Sequence, residues 1–288
     1  MRCAITFTAH LSRQLEHAIR AMRSEEDFMP AINGLGWTFD TVADDYALFR
    51  PGYVDEMYEY LFDAARIGAG NRAVEVGIGG GQATLPVLKT GCAVTAVEPG
   101  ENFCALCRQK FAGYPGFSVI NGKFEDVPFE DAAYDIVYSA SAFHWVPEEV
   151  GYCKAFAMLR SGGVFARFAN HPYADKGRPE LDAEIQRLYA RYMPHSKRAP
   201  EYDMAQARER ADIALQYGFK DVKCALFGRT RSFTASQYTR LLGTYSDHIA
   251  LDEPVRKEFF GGIERAIDRH GGVLTIYDTI DIELAIKP

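Results

Sequence analysis

Hydrophobic and polar positions divide the chain into stretches of different period. Near the N-terminus the spacing is helical: Leu11, Leu15, Ala18, Ile19 and Met22 fall on one face, the recurrence of an amphipathic helix. A loop with Gly and Pro, "EEDFMPAINGLGW", follows. Two further amphipathic stretches then cover 40–49 and 53–66, the second entered through "RPG". From residue 72 the period changes. Short β-rich runs alternate with helical stretches: "RAVEV" then 81–89, "AVTAVE" then 100–112, "FSVIN", "YDIVYSA" then 147–160, and "GVFARFA". Strands separated by helices predict βαβ units and a parallel sheet covered on both faces.

The rest of the chain breaks that rhythm. Residues 171–216 are charged and helical, with prolines at 172, 179, 194 and 200, and read as an insertion over the sheet. Two more strands follow, "DVKCALFGRTRSF" and "VLTIYDTIDIELAIK", with helices over 234–270 between them. The second alternates apolar and polar residues, as an antiparallel or edge strand does. The expected architecture is α/β: a doubly wound, Rossmann-like, mostly parallel seven-stranded sheet with an antiparallel last strand and a helical cap. Residues 1–66 form an N-terminal helical segment, read as a lid, and 67–288 the core, with cap insertions at about 171–216 and 234–270.

Composition narrows the function. Apolar residues make up 48% and charged residues 25%, an ordinary globular balance. The net charge is −7 and Lys and Arg are nowhere concentrated, which argues against a nucleic-acid partner. No run approaches ~18 apolar residues, so no membrane span is expected. The first residues lack a convincing cleavage site for a signal peptide. Six scattered cysteines read as reduced thiols of a cytoplasmic protein. Cys104 and Cys107 form a lone Cys-x-x-Cys without a second pair, so no metal is expected.

The chemistry is concentrated at "VEVGIGGG". Glycines inside regular structure cost backbone entropy and need a reason. A strand, a glycine-rich turn and a helix let a ligand touch the backbone. The dinucleotide pattern G-x-G-x-x-G fails, because Gln82 and Thr84 stand where its last glycine would fall. The pattern that fits is E-x-G-x-G-x-G, made by Glu75, Gly77, Gly79 and Gly81. Glu75 beside the loop suits a cationic ligand group. The next strand ends in "AVEPG", and Glu98 at its tip can accept both hydroxyls of a ribose; Pro99 and Gly100 shape the turn after it. A ribose, a cation and no phosphate describe S-adenosylmethionine.

With these residues the chain resembles the class I S-adenosylmethionine-dependent methyltransferases, in the type 11/25 group. "VEVGIGGGQAT", "VTAVEPGENF" and "GKFEDVPFEDAAYDIVYSASAFHWV" are similar to the family's successive motifs. "FD…Y…RPGY", "FHW", a late "TYS" and the final strand resemble the trans-aconitate methyltransferase-like proteins. The resemblance implies a fold, a cofactor and an adenine site near Glu125 and Asp126, with the reaction centre at the end of the fourth strand. Phe124 departs from the family, which has a small residue there; it is a candidate wall for the adenine. Tyr46 and Arg50, one helical turn apart, are candidates to face the cofactor, Arg50 pairing with its carboxylate. Phe39 and Trp37 are candidates to close over the sulfonium.

Ser139, His144 and Trp145 follow or end the fourth strand and are expected to face the methyl group. His144 is a candidate general base for a hydroxyl or amine acceptor; a carboxylate, already ionised, needs none. Arg167, His171, Arg229, Arg231, Tyr245 and His248 are candidates for the acceptor pocket, in which an anion would need an arginine fork. The expected function is methyl transfer to a small molecule, at a carboxylate or hydroxyl. The alternative is a protein that binds S-adenosylmethionine as a sensor without transferring the methyl.

Overall fold

The computed structural model describes residues 43–288. The candidates Trp37 and Phe39, and most of the expected lid, lie outside the described residues. Helix α1 spans Ala43–Phe49 and α2 Asp55–Ala65. The sheet then begins: β1 Arg72–Val76, α3 Thr84–Lys89, β2 Ala93–Glu98, α4 Glu101–Lys110, β3 Phe117–Asn121 and β4 Tyr134–Ala140. A 3-10 turn, Phe143–Trp145, leads to α5 Glu148–Met158 and β5 Leu159–Ala174. Next come α6 Pro179–Tyr192, α7 Met204–Gln216 and β6 Lys220–Thr234. The chain ends with α8 Ala235–Leu242, α9 Ser246–Ile249, α10 Glu253–Arg269 and β7 Val273–Ile286.

The seven strands lie in the order β3-β2-β1-β4-β5-β7-β6. β1 to β5 pair in parallel, and β7 runs antiparallel to both β5 and β6. The doubly wound sheet with one antiparallel strand is the architecture expected from the alternation of runs. Strand order reverses between β1 and β4, the crevice at which open α/β sheets hold ligands.

Burial follows the pleat. Ala73, Val94, Ile136 and Ile282 pack with α2, α3 and α4 on one face. Val74, Val76, Val97, Val137 and Phe165 pack with α5 and α7 on the other. Central strands buried on both faces read as continuous apolar runs, which is why "RAVEV" and "YDIVYSA" were legible at once. A third cluster joins α6, α10 and the first residues of β7 around Leu181, Ile185, Phe259, Ile263 and Leu274.

Two boundaries differ from expectation. β5 continues to Ala174, with His171 paired to Thr279 and Ala174 to Ile276, so residues 171–174 belong to the sheet. A proline at 172 is accommodated beyond the last β4 pair, Ala140 with Phe168, where β7 holds the strand along its other edge. Helix α7 buries Ala207, Ala211 and Ala214, and Ala214 joins Phe165 and Phe219 in the sheet core. It is a layer helix on the sheet, whereas α6 packs with α10 over the first residues of β7.

The glycine loop leaves β1 directly under α4. At Gly81, φ is +71°, and an added Cβ would lie 2.6 Å from the Phe111 ring. Gly81→Ala is therefore expected to destabilise the ligand-free protein by roughly 2–4 kcal/mol, from backbone strain and overpacking together. Denaturant unfolding of the variant checks it; an unchanged midpoint would show that Phe111 yields freely.

Candidate functional site

The site is built where β1, β2 and β4 end. Glu98 is the organising group. Its Oε2 accepts the Gly79 amide at 2.9 Å and its Oε1 the Gly100 amide at 2.9 Å. One carboxylate thus holds the glycine loop and its own turn together. A carboxylate has about four acceptor directions, and these amides take one on each oxygen. The Asn121 amide donates to the Glu98 and Pro99 carbonyls at 3.0 and 2.9 Å, fixing the strand tip from β3.

The glycines have close neighbours of their own. A Cβ on Gly77 would lie 2.4 Å from that of Ala142, just past β4. Ser141 makes this approach possible by adopting φ +55°; its amide donates to Phe168 and its hydroxyl meets that of Tyr53 at 2.9 Å. A Cβ on Gly79 would touch the Tyr46 ring at 3.4 Å, and one on Gly80 would lie 2.9 Å from Ala47. Helix α1 therefore lies across the loop. Gln82, which departs from the dinucleotide pattern, donates to the Tyr46 carbonyl at 3.2 Å and pins that helix.

Glu75 is fully buried. Thr84 and Tyr138 donate hydroxyls to its Oε2 at 2.7 and 2.8 Å, while Oε1 has no donor among the described residues. Desolvation raises its pKa to about 7; the two hydroxyls and Lys110 oppose it. Neither hydroxyl was singled out in the sequence, since Thr84 opens a helix and Tyr138 sits mid-strand.

Arg50 links the loop to the cap. Its guanidinium lies 3.9 Å from the Tyr245 ring centre and 4.9 Å from that of Tyr46. Nε and one Nη donate to the hydroxyl and carbonyl of Thr244 at 3.0 and 2.9 Å. The separated motifs "Y…RPGY" and "TYS" are thus one cluster. Tyr46 also packs edge-on against Phe103 at 5.1 Å, and burial raises its pKa against the opposing effect of Arg50.

The remaining candidates are distributed differently. Ser139 spends its hydroxyl on the Val76 carbonyl at 2.8 Å and is buried. Phe124 is 3% exposed in the sheet core, near Phe129. Phe143 anchors the turn against Tyr152 and Phe165, leaving His144 and Trp145 outward. The His144 residue is exposed. Desolvation, then Arg210 and Arg167, pull its pKa down to about 4.

Two charge clusters occupy opposite faces of the sheet. Arg167 pairs with Glu283, and Arg210 lies 3.2 Å from Glu283 and 3.4 Å from Asp281. Asp281 also accepts the Ala169 amide at 2.8 Å and meets His171 at 3.0 Å; His171 stacks on Tyr202. Two arginines face two carboxylates, so their formal charges cancel. On the other face Arg229 and Arg231 both pair with Asp278, at 2.8 and 2.5 Å. Arg229 also donates to the Gly52 carbonyl at 2.9 Å and to Asn170 at 2.7 Å. Here two cations share one carboxylate. His248 is buried in the cap, with Nδ1 2.7 Å from Asp247 and Nε2 3.0 Å from the Tyr189 hydroxyl.

These residues suit a ligand with a ribose and a cationic amino-acid tail. A twin-amide carboxylate stands at the β2 tip, and an arginine stands at the rim of the glycine loop. Comparison with known proteins agrees. Residues 74–166 match the family model for the methyltransferase domain. An uncharacterized methyltransferase of Schizosaccharomyces pombe is 24% identical over 235 residues, 77% of this chain and 88% of that one. One of Mycobacterium tuberculosis is 29% identical over 126 residues, 44% of this chain and 49% of that one. Among solved structures, a protein of Anaeromyxobacter dehalogenans assigned to the type II methyltransferases superposes with a TM-score of 0.62 at 22% identity, covering 83% of this chain and 98% of that one. A phosphoethanolamine N-methyltransferase of Haemonchus contortus, solved with S-adenosyl-L-methionine, gives 0.50 at 17% identity, covering 86% and 57%; these two likenesses concern the fold. The matched domain and relatives, with the glycine loop and Glu98 in this arrangement, support an S-adenosylmethionine-dependent methyltransferase. Among the described residues no helix is long and apolar enough to cross a membrane.

Two measurements probe the site. For Glu75, the unfolded chain ionises near 4.5 and the folded one near 7. Between those values the folded state binds more protons, so stability declines as pH rises from about 4.5 to about 7 and then levels. Glu75→Gln is expected to remove that slope, worth roughly 3 kcal/mol; equal slopes of melting temperature with pH in both proteins would refute it. Glu98→Ala is expected to weaken S-adenosylhomocysteine binding by ~1–3 kcal/mol, read by calorimetry, and unchanged affinity would place the ribose elsewhere.

Proposed function

We propose that the enzyme methylates a small-molecule carboxylate, with the acceptor approaching from the cap side of the β4 and β5 ends. The observation that carries this reading is the uneven sharing of charge. Arg229 and Arg231 divide one carboxylate, Asp278, which favours a further anion beside them. Arg229 holds the Gly52 carbonyl, next to Tyr53, whose hydroxyl reaches Ser141 at the β4 tip. The surplus cation thus adjoins the segment joining the cofactor loop to the cap. The Arg167 cluster, being balanced, supplies no such preference.

When bound, S-adenosylmethionine supplies an electrophilic methyl group on a sulfonium. In this reading Glu98, Pro99 and the glycine loop hold its ribose and tail, and Glu125 takes the adenine amine. Arg50 takes its carboxylate, between Tyr46 and Tyr245. The chain's contribution is alignment and exclusion of water. A carboxylate acceptor brings its own free lone pair and releases no proton. A cytoplasmic setting and a lid over residues 1–66 belong to the same proposal.

A hydroxyl acceptor is the second reading, and one arrangement favours it. Asp247 accepts from His248 Nδ1, which leaves Nε2 to accept the Tyr189 hydroxyl; the tautomer is inferred from these partners. That chain is an oriented histidine in the cap, whereas His144, with its lowered pKa, is a weak base at neutral pH.

The test offers matched carboxylic acids and alcohols of the same carbon skeleton and follows S-adenosylhomocysteine release and product mass. Acids are expected to turn over. Arg231→Met should raise KM by roughly ten- to a hundredfold, the loss of a hydrogen bond to a charged group. His144→Ala should leave kcat within a few-fold. Turnover of alcohols alone, with KM indifferent to Arg231, would replace the carboxylate reading with the second.

A further inference from the structure

Both loops that would meet the cofactor are held from behind by a lysine. Lys154, on α5, directs its ammonium at three carbonyls of the loop after β3: Phe124 at 2.5 Å, Glu125 at 3.1 Å and Val127 at 2.6 Å. An ammonium has three donors, so this lysine is saturated by one loop. Lys110, the last residue of α4, donates to the Gly80 and Gly81 carbonyls at 2.7 and 3.3 Å. One turn earlier on the same helix the Cys107 thiol donates to the Gly79 carbonyl at 3.2 Å. Three consecutive carbonyls of the glycine loop are thus held by α4.

The peptide group is planar and trans, so its carbonyl and the following N–H point in opposite directions. Holding the Phe124 carbonyl on Lys154 turns the Glu125 N–H away from α5. Holding Gly79 and Gly81 on α4 turns the N–H groups of Gly80 and Gln82 away from that helix. Among the described residues these three N–H groups have no protein acceptor. By contrast Asp126 and Val127 donate to Lys123, and Gly81 donates to Ile78. The lysines therefore act on peptide units that face out of the fold.

The clamp is selective. The Lys154 ammonium lies 5.1 Å from the Phe124 ring centre and 5.7 Å from that of Phe129, a partly buried seat. Hydrogen bonds from an ion to neutral carbonyls there are stronger than in water. Without the ammonium, three carbonyls of one turn would lose their partner at once. The same cation completes that turn as a basic residue completes a helix C-terminus.

We propose that Lys154 and Lys110 are positioning residues for cofactor binding, Lys154 presenting the adenine loop and Lys110 the glycine loop. The proposal rests on the placement of adenine and ribose given above. It assigns the two lysines separable effects, since one loop meets the base and the other the rest of the molecule.

The test compares two compounds by competition calorimetry: S-adenosylhomocysteine and S-ribosylhomocysteine, which lacks the adenine. Lys154→Met is expected to lose about tenfold or more in affinity for S-adenosylhomocysteine, the loss of a hydrogen bond or more, and to keep its affinity for S-ribosylhomocysteine. Lys110→Met is expected to lose affinity for both. Lys154→Arg, which keeps the charge, should recover part of the loss. A purely structural role would lower the affinities of Lys154→Met for both compounds in proportion, along with its melting temperature, and that result would overturn the assignment. Wild-type affinity for S-adenosylhomocysteine in Lys154→Met would overturn it as well. If the wild-type protein bound neither compound, the cofactor placement itself would fail, and the proposal with it.

Discussion

The Glu98 carboxylate carries more of the site than any other group. It sits at the end of β2 and takes one amide from the loop after β1 and one from its own turn. Two strand ends that are only neighbours in the sheet become a single rigid edge. That edge is then built upon. Asn121 fixes the Glu98 and Pro99 carbonyls from β3. Helix α4 supplies a thiol and an ammonium to the glycine carbonyls. Helix α1 lies over the loop, against Gly79 and Gly80. A charge held by backbone amides is cheaper to keep in a partly dry site than one left to water, so the order of both loops draws on one interaction.

The glycines answer to the same constraint. At Gly77 the neighbour is Ala142 and at Gly81 it is Phe111. Their missing side chains make room for protein as much as for a ligand. The chain after β4 closes over β1, and the aromatic end of α4 closes under the loop. Residues that look like ligand contacts in a motif are also the places where three elements converge. The strained Ser141 belongs to this convergence, since its left-handed backbone carries Ala142 across Gly77.

Charge is arranged to divide the molecule. The Arg167 and Arg210 cluster is balanced by Asp281 and Glu283 on the face covered by α7. The Arg229 and Arg231 cluster on the opposite face has, among the described residues, Asp278 as its one paired carboxylate. Buried ions need partners, and the pattern of partnering differs between the two faces. Nothing in the spacing of the five arginines along the chain, counting Arg50, distinguishes them. Each becomes informative only through what stands opposite it.

Much of this protein is decided locally. The central strands announce themselves because burial on both faces demands continuous apolar runs, and "RAVEV", "AVTAVE" and "YDIVYSA" coincide with β1, β2 and β4, while "FSVIN" coincides with the edge strand β3. The glycine loop and the acidic strand tip are legible because backbone conformation and ribose chemistry each restrict residue type at short range. What the sequence alone could not decide is what lies far apart in it. Thr244 meets Arg50 across 194 positions, Tyr138 meets Glu75 across 63, and Lys154 meets Phe124 across 30. A lysine on an amphipathic helix carries no sign that it will face a turn rather than water. Strand pairing of β5 through Pro172 to Ala174 likewise depended on the length of β7, not on its own residues. Local pattern determined the elements and the cofactor chemistry; only packing, which sets one distant residue against another, decided which charges were balanced and which loops were held.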